Sequence, residues 1–206
     1  MTTLEKLIIH FERFPGIGAR QAKRFAYHLL SENPNQTQEL AKLIEHIHTS
    51  IVECEMCHCF FTAQGDRFRC RMCSDTTRDH SKLMIVEHDT DMQAIERGGV
   101  YNGFYFILGG TVPLLNEEST SKVRGDALKH LVTQRVSEGL SELILGFSVN
   151  PDGENTGRYV EALLKNIITE HNLTIAILGR GLSTGSELEY ADPETIKNAL
   201  KNRTQT

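Results

Sequence analysis

CEMCHCFFTAQGDRFRCRMC, residues 54–73, divides the chain and determines how the rest of it is organised. The stretch contains two Cys-x-x-Cys pairs, Cys54 with Cys57 and Cys70 with Cys73, separated by twelve residues. Two residues between paired cysteines let both thiolates reach one tetrahedral ion. Four thiolates leave no open position for water, so we expect a structural zinc, with iron-sulfur ligation and a redox pair as the alternatives.

Two further residues stand beside the second cysteine of the first pair. His58 is an alternative ligand to a thiolate, although a solvated loop histidine is the simpler interpretation. Cys59 is expected to be a reduced bystander. Metal-spaced cysteines with one spare fit a reducing compartment better than a disulfide framework does.

The composition sets limits on size, location and partners. With 206 residues, 39% hydrophobic content, 7% aromatic content and no Trp, the chain predicts one main domain with small appendages. No apolar run of membrane-spanning length and no leader-like N-terminus is seen, so we expect a cytoplasmic protein without a membrane partner. The formal net charge of -5 means that any DNA contact must come from a local basic face.

On the N-terminal side of the cysteines, residues 1–53 are predicted to form a small helical unit. Leu4, Leu7 and Phe11 repeat at helical spacing, a Phe-Pro-Gly-Ile-Gly break follows at residues 14–18, and a second helical pattern resumes at Ala22. A third amphipathic helix leads into the first cysteine pair. The arrangement predicts a helix-hairpin-helix.

The hairpin carries the candidate DNA contacts. Gly16 and Gly18 allow a tight turn whose backbone N–H groups open the next helix, where they can face a phosphate. Arg20, Lys23 and Arg24 follow at positions i, i+3 and i+4 and therefore share one helix face. Such a face can hold a DNA backbone without reading bases, and the alternative is an ordinary solvated helix face.

On the C-terminal side, short apolar strands alternate with helical stretches. This order predicts an α/β domain with a mostly parallel sheet. The predicted strands are residues 83–86, 104–108, 143–145 and 175–178. We assign 54–77 to the zinc knuckle, 78–178 to the α/β domain, and 179–206, which is Gly- and Ser-rich at first and then helical, to a C-terminal arm.

Acidic residues follow two of the predicted strands. Glu87 ends the first strand with Asp91 in the adjoining segment, and Asn150, Asp152 and Glu154 follow the third. Carboxylates at the ends of parallel strands can bind Mg²⁺. Asn150 is neutral where a carboxylate would serve better, so Mg²⁺ is a doubtful cofactor. The alternatives are an acidic surface for a protein partner and capping of helix starts.

The order of these parts resembles the RecR family of bacterial recombination mediators over nearly the whole chain. The motifs that carry the resemblance are the cysteine quartet and residues 14–18 with Arg20 and Arg24, 85–87, 94–97, 108–110, 150–154 and 185–190. The resemblance implies a Toprim-type central domain and no catalytic turnover. It also implies a DNA clamp, commonly a tetramer, that works with RecO and RecF and helps RecA to load.

Carried over residue by residue, the resemblance assigns three sets of sites. Arg20, Lys23 and Arg24 match the basic face of the DNA-binding hairpin, and the four cysteines match zinc ligands. The acidic Toprim positions are Glu87, Asn150, Asp152 and Glu154, which in this family look more like a partner-binding surface.

A rival hypothesis is a Mg²⁺-dependent Toprim-type nuclease or topoisomerase-like enzyme that uses Glu87, Asp152 and Glu154. Covalent strand cleavage would need a tyrosine nucleophile, and Tyr101, Tyr105 and Tyr159 are better explained as packing or surface residues. Its discriminating property is Mg²⁺-dependent DNA cleavage.

Overall fold

The computed structural model describes residues 1–63, 65, 68–114, 122–179, 181, 182, 185 and 187–202. Two structural units can be distinguished, Met1–Val52 and Glu53–Thr206, and each is described by itself. Among the described residues, no helix combines the length and the apolar character needed to cross a bilayer.

The first unit consists of helices at the positions that the apolar spacing predicts. They are α1 (Thr3–Glu12), α2 (Ala19–Ser31) and α3 (Pro34–Ser50). Thr2 caps α1 and forms a capping box with Glu5, while the Asn33 side chain caps α3. These side chains accept from backbone N–H groups that would otherwise lack a partner at a helix start. The two helix starts are therefore fixed locally by sequence.

The second unit opens with the cysteine segment. Two short strands, β1 (Ile51–Glu53) and β2 (Phe60–Thr62), pair with each other, and the four-residue helix α4 (Arg71–Ser74) follows. The Cys54 N–H donates to the Cys59 carbonyl at 2.9 Å, which closes the turn that carries the first cysteine pair. We call residues 54–73 the knuckle.

The rest of the second unit alternates strands and helices. These elements are β3 (Asp79–Val86), α5 (Asp89–Gly98), β4 (Gly103–Ile107), α6 (Gly125–Ser137), β5 (Glu142–Gly146), α7 (Pro151–His171) and β6 (Thr174–Ile177). A 3-10 turn (Leu188–Tyr190) and α8 (Pro193–Lys201) follow. The α/β prediction is confirmed. Within the predicted arm, residues 180, 183, 184, 186 and 203–206 lie outside the described part.

The four strands β3 to β6 form one parallel sheet in the order β4-β3-β5-β6. Ile85 in the central strand β3 lies opposite Phe106 on one side and Leu145 on the other. The chain leaves β3 toward one edge of the sheet, and after β4 it crosses to the opposite side. The order therefore reverses between β3 and β5, and the carboxyl ends of these two strands form the switch point where open α/β sheets place their functional residues.

The two faces of the sheet are covered by different layers. Leu83 and Ile85 point to one face, where they cluster with buried residues of α6 and α7 such as Leu128 and Leu164. Met84 and Val86 point to the other face because side chains alternate along a strand. There they cluster with the buried cysteines of the knuckle and with Met92 of α5. The knuckle thus covers part of the sheet rather than merely linking two units.

Candidate functional site

The hairpin between α1 and α2 is held by aromatic packing and one special backbone position. The ring of Phe11 lies 6.2 Å from that of Phe14 and 6.0 Å from that of Phe25, edge-on to the latter. Gly16 has φ +76°, a conformation that side chains make costly. Gly18 precedes α2 in an extended conformation and contributes no side-chain cap. The turn therefore requires glycine at position 16 and leaves open backbone at position 18.

The basic residues of α2 lie on its solvent side. Ala22 and Ala26 are fully buried and mark the inner face, whereas Arg20, Lys23 and Arg24 are exposed. None of the three forms an ion pair with a described residue. On α2 the only ion pair among described residues joins His28 to Glu32, at 3.3 Å. We call Arg20, Lys23 and Arg24 the basic face.

The knuckle brings the cysteine quartet together. The Sγ atoms of Cys54, Cys57, Cys70 and Cys73 all lie within 4.8 Å of one another, and those of Cys57 and Cys70 are 3.6 Å apart. Four thiolates about 2.3 Å from one zinc ion would lie about 3.8 Å apart, so the spacing fits a closed tetrahedral site. Backbone N–H groups of Cys70 and Cys73 point at the Sγ atoms of Cys54 and Cys70, at 3.4 and 3.5 Å.

The close approach of the thiols perturbs their protonation. Hydrogen bonding from Cys57 lowers the pKa of the Cys54 thiol, whereas hydrogen bonding with Cys54 raises the pKa values of Cys57 and Cys73. The thiols are therefore not independent, because ionisation of one opposes ionisation of the next. A divalent cation removes this conflict, since it is bound by all four thiolates at once. The donor set and its spacing therefore fit zinc.

The two neighbours of the first pair stay outside the quartet. His58 has φ +62° and its Nδ1 lies 2.5 Å from Glu53 Oε1, while its ring packs edge-on against Phe106. Cys59 is buried, and its carbonyl accepts from Cys54 N–H. Neither is part of the four-sulfur group. His58 thus has a structural role in place of the solvated one expected from sequence.

At the switch point, Glu87 is engaged by a residue that the sequence analysis missed. Its carboxylate is buried, with 6% of the residue exposed. It accepts hydrogen bonds from Ser148 N at 2.7 Å and from Ser148 Oγ at 2.9 Å. Ser148 stands two residues after β5, at the end of a predicted strand, and this position was its only signal. The bond joins the ends of β3 and β5.

The other acidic candidates each have local partners. Asn150 caps α7 by accepting from Gly153 N at 2.8 Å, and Asp91 accepts from His88 N at 2.9 Å. Asp152 accepts from Leu114 N at 3.1 Å, and Glu154 lies 3.9 Å from Arg158. In the described part of the chain, no three acidic side chains come together as metal ligands do. The structure does not gather Glu87, Asp152 and Glu154 into a cation site.

A second missed residue fixes the loop after β4 to the start of α7. Thr156 is fully buried, and its Oγ1 accepts from Val112 N at 2.9 Å and donates to the Asp152 carbonyl at 2.6 Å. Asn155 Nδ2 donates to the Val112 carbonyl at 3.0 Å. Both residues lie on a helix beside the acidic positions, and nothing in the local pattern distinguishes them. The acidic loop is therefore held in place by neutral side chains.

Comparisons with known proteins agree with this architecture. Residues 4–48 match the model of the RecR helix-hairpin-helix, residues 81–178 that of the Toprim domain, and residues 181–204 that of the RecR C-terminal region. The recombination protein RecR of Streptococcus thermophilus is 32% identical over 204 residues, which is 99% of this chain and 98% of that protein. The RecR proteins of Mycobacterium leprae (strain TN; 33%; 97% of this chain, 96% of that protein) and Chlorobium phaeobacteroides (strain BS1; 31%; 98% and 96%) are similarly related. The chain belongs to the RecR family.

The RecR assignment relates the described sites to the matched regions. The basic face lies within the RecR helix-hairpin-helix match, and the Glu87–Ser148 contact lies within the Toprim match. The cysteine quartet lies between these two matches. The relatives are named as RecR recombination proteins, and their names describe no enzymatic activity.

Proposed function

We propose that this RecR-family protein is a non-catalytic DNA-binding mediator of recombinational repair. The observation that carries the proposal is the basic face, where Arg20, Lys23 and Arg24 are exposed and pair with no described carboxylate. Cations kept free of internal ion pairs can displace the counterions of a DNA backbone. The helix start after Gly18 adds backbone N–H groups to the same phosphate-binding end.

We further propose that several copies act together as a clamp, with a tetramer as the assembly. The support is electrostatic, because the net charge of -5 disfavours binding by one isolated chain. Linking several weak basic faces raises their combined affinity without new contacts. The assembly is proposed to work in the cytoplasm with RecO- and RecF-type proteins and to promote RecA loading.

In this proposal the acidic Toprim positions serve protein partners. Asn150 and Glu154 are exposed near the switch point, and Asp152 and Asp91 are partly exposed. Negative surface charge at this edge suits a partner with a positive patch. Glu87 is buried and bonded to Ser148, so its role is to position the β3 and β5 ends. Mg²⁺-dependent cleavage is disfavoured because the carboxylates do not converge.

The cysteine quartet is proposed to hold a structural zinc ion. Four sulfur ligands close the coordination sphere, so the bound metal supplies folding free energy and no site for activating water. The four sulfurs would hold it at the face of the sheet that Met84 and Val86 line.

The test is replacement of Arg20, Lys23 and Arg24 together by Ala. We expect DNA retention in a gel-shift or anisotropy assay to be lost, while zinc content and oligomer mass stay unchanged. Removing three positive charges takes the net charge from -5 to -8. A matched control replaces the exposed Lys42, Lys129 and Lys165 by Ala, with the same change in net charge. Retained DNA binding in the first variant, or equal loss in both, would show that the hairpin is not the DNA contact.

A further inference from the structure

Tyr27 occupies the middle of the basic face. On α2 it follows Lys23 by four residues, Arg24 by three and Arg20 by seven, spacings that place all four side chains on one side of a helix. Tyr27 is 59% exposed, and the inner face opposite it is marked by the buried Ala22 and Ala26. The helix therefore presents an aromatic ring to solvent between three cations.

Packing within the unit does not explain this ring. Phe14 and Phe25 are also exposed, at 57% and 44%, but both rings pack against Phe11. Tyr27 has no ring contact and no side-chain hydrogen bond to a described residue. It also lines a surface depression of about 440–640 Å³ scale, given as 640 Å³, together with Lys23, Arg24, His28 and Ser31. Its ring is available to a ligand.

We propose that Tyr27 stacks on an unpaired base of single-stranded DNA while Arg20, Lys23 and Arg24 hold the neighbouring phosphates. Single-strand binding sites combine a cationic track with exposed aromatic rings in this way. A base inside a duplex has both of its faces covered, so it cannot accept the ring. The inference rests on the proposed DNA-binding role of the basic face and specifies its ligand as single-stranded or gapped DNA.

The dimensions of the helix agree with such a ligand. Seven residues separate Arg20 from Tyr27, which corresponds to about 10 Å along the helix axis. Phosphates in one strand of a stacked nucleic acid are about 3.4 Å apart along the axis, so the face spans about three of them. Three cations and one ring therefore match a short stretch of one strand.

The chain contains no Trp, so Tyr27→Trp creates a single emission reporter. We expect its emission to be quenched when oligo-dT is added, because an indole ring stacked on a base loses fluorescence. A blunt duplex, bound through its phosphates alone, should leave the emission nearly unchanged. Emission that is unaffected by oligo-dT, under conditions where anisotropy shows the oligonucleotide bound, would overturn the inference.

Affinity measurements provide the second readout. Loss of one base stack by Tyr27→Leu should weaken oligo-dT binding at least about fivefold, whereas Tyr27→Phe keeps the ring and the affinity. Duplex binding should be unchanged in both variants. Equal weakening for duplex and single strand would make Tyr27 a general contact and overturn the inference. A changed oligomer mass in Tyr27→Leu would place the ring between copies of the chain and would also overturn it.

These failures are distinguishable from failure of the proposed function. If Arg20, Lys23 and Arg24 can be replaced by Ala without loss of DNA, the proposed function itself is wrong. If that variant loses DNA but Trp at position 27 reports no stacking, only the role of Tyr27 is wrong.

Discussion

At the residue scale, Cys59 and Cys73 separate the metal ligands from the ordinary core. Both are cysteines of the knuckle, and Cys59 is the more deeply buried of the two. Only Cys73 belongs to the four-sulfur group. Burial alone would therefore select the wrong residue as a ligand, whereas the spacing of two Cys-x-x-Cys pairs selects the right set.

We expect Cys73→Ser to lose bound zinc and Cys59→Ser to retain it. A serine hydroxyl is a poor replacement for a thiolate ligand, so the first variant cannot keep a closed tetrahedral site. The second variant should lose only about 1–3 kcal/mol of unfolding free energy, the cost of placing a hydroxyl at a buried position. Metal analysis of the purified variants by mass spectrometry measures the zinc per chain. Equal zinc loss in both would make Cys59 a ligand.

At the element scale, the sequence predicted the strands better than it predicted their surroundings. Apolar residues 83–86 identified the second half of β3, but the strand begins at Asp79, where polar residues give no periodic signal. The predicted helix that included Val123 begins at Gly125 instead. Local pattern fixes the type of an element more reliably than its ends.

The contacts between distant elements could not be predicted from the sequence. The Ile107 N–H donates to the Cys57 carbonyl at 2.8 Å, which ties β4 to the knuckle across fifty residues of sequence. Glu87 meets Ser148 in the same long-range way. Such contacts depend on how the sheet is ordered, and residue spacing along the chain carries no information about that order. The quartet was predictable because its ligands are close in sequence and chemically specific.

One contact between the knuckle and α5 can be tested directly. The Phe60 N–H of β2 donates to Asp89 Oδ1 at 2.7 Å, at the first residue of α5. Asp89→Ala removes the acceptor and should lower the free energy of unfolding by about 1–2 kcal/mol, as a lost hydrogen bond to a charged group does. Asp89→Asn keeps an oxygen at the same position and should cost less than half as much.

The measurement for both Asp89 variants is urea denaturation of the zinc-loaded protein, with zinc content checked before each series. Equal stability of Asp89→Ala and the unmodified protein would mean that this contact does not hold the knuckle against α5. Equal destabilisation by Asn and Ala would assign the effect to the lost carboxylate charge at the helix start rather than to the hydrogen bond.

At the scale of the whole molecule, charge and assembly are connected. The chain carries a net charge of -5, yet it presents a basic face with no described acidic partner. The overall field opposes approach to DNA, and the local face favours contact. Several faces engaged together are needed for the local attraction to prevail, which is the physical reason for proposing a clamp rather than an independent monomer.

The salt dependence of binding should therefore change with the length of the DNA. One basic face neutralising three phosphates predicts a slope of log K against log salt of about -2.7 for a duplex too short to reach a second copy. A longer duplex that contacts several copies should give a slope at least about twice as steep. Anisotropy titrations at several salt concentrations measure both slopes, with oligomer mass followed by light scattering. Equal slopes for short and long DNA would mean that each copy binds alone, and the clamp proposal would then be wrong even if the basic face is the DNA contact.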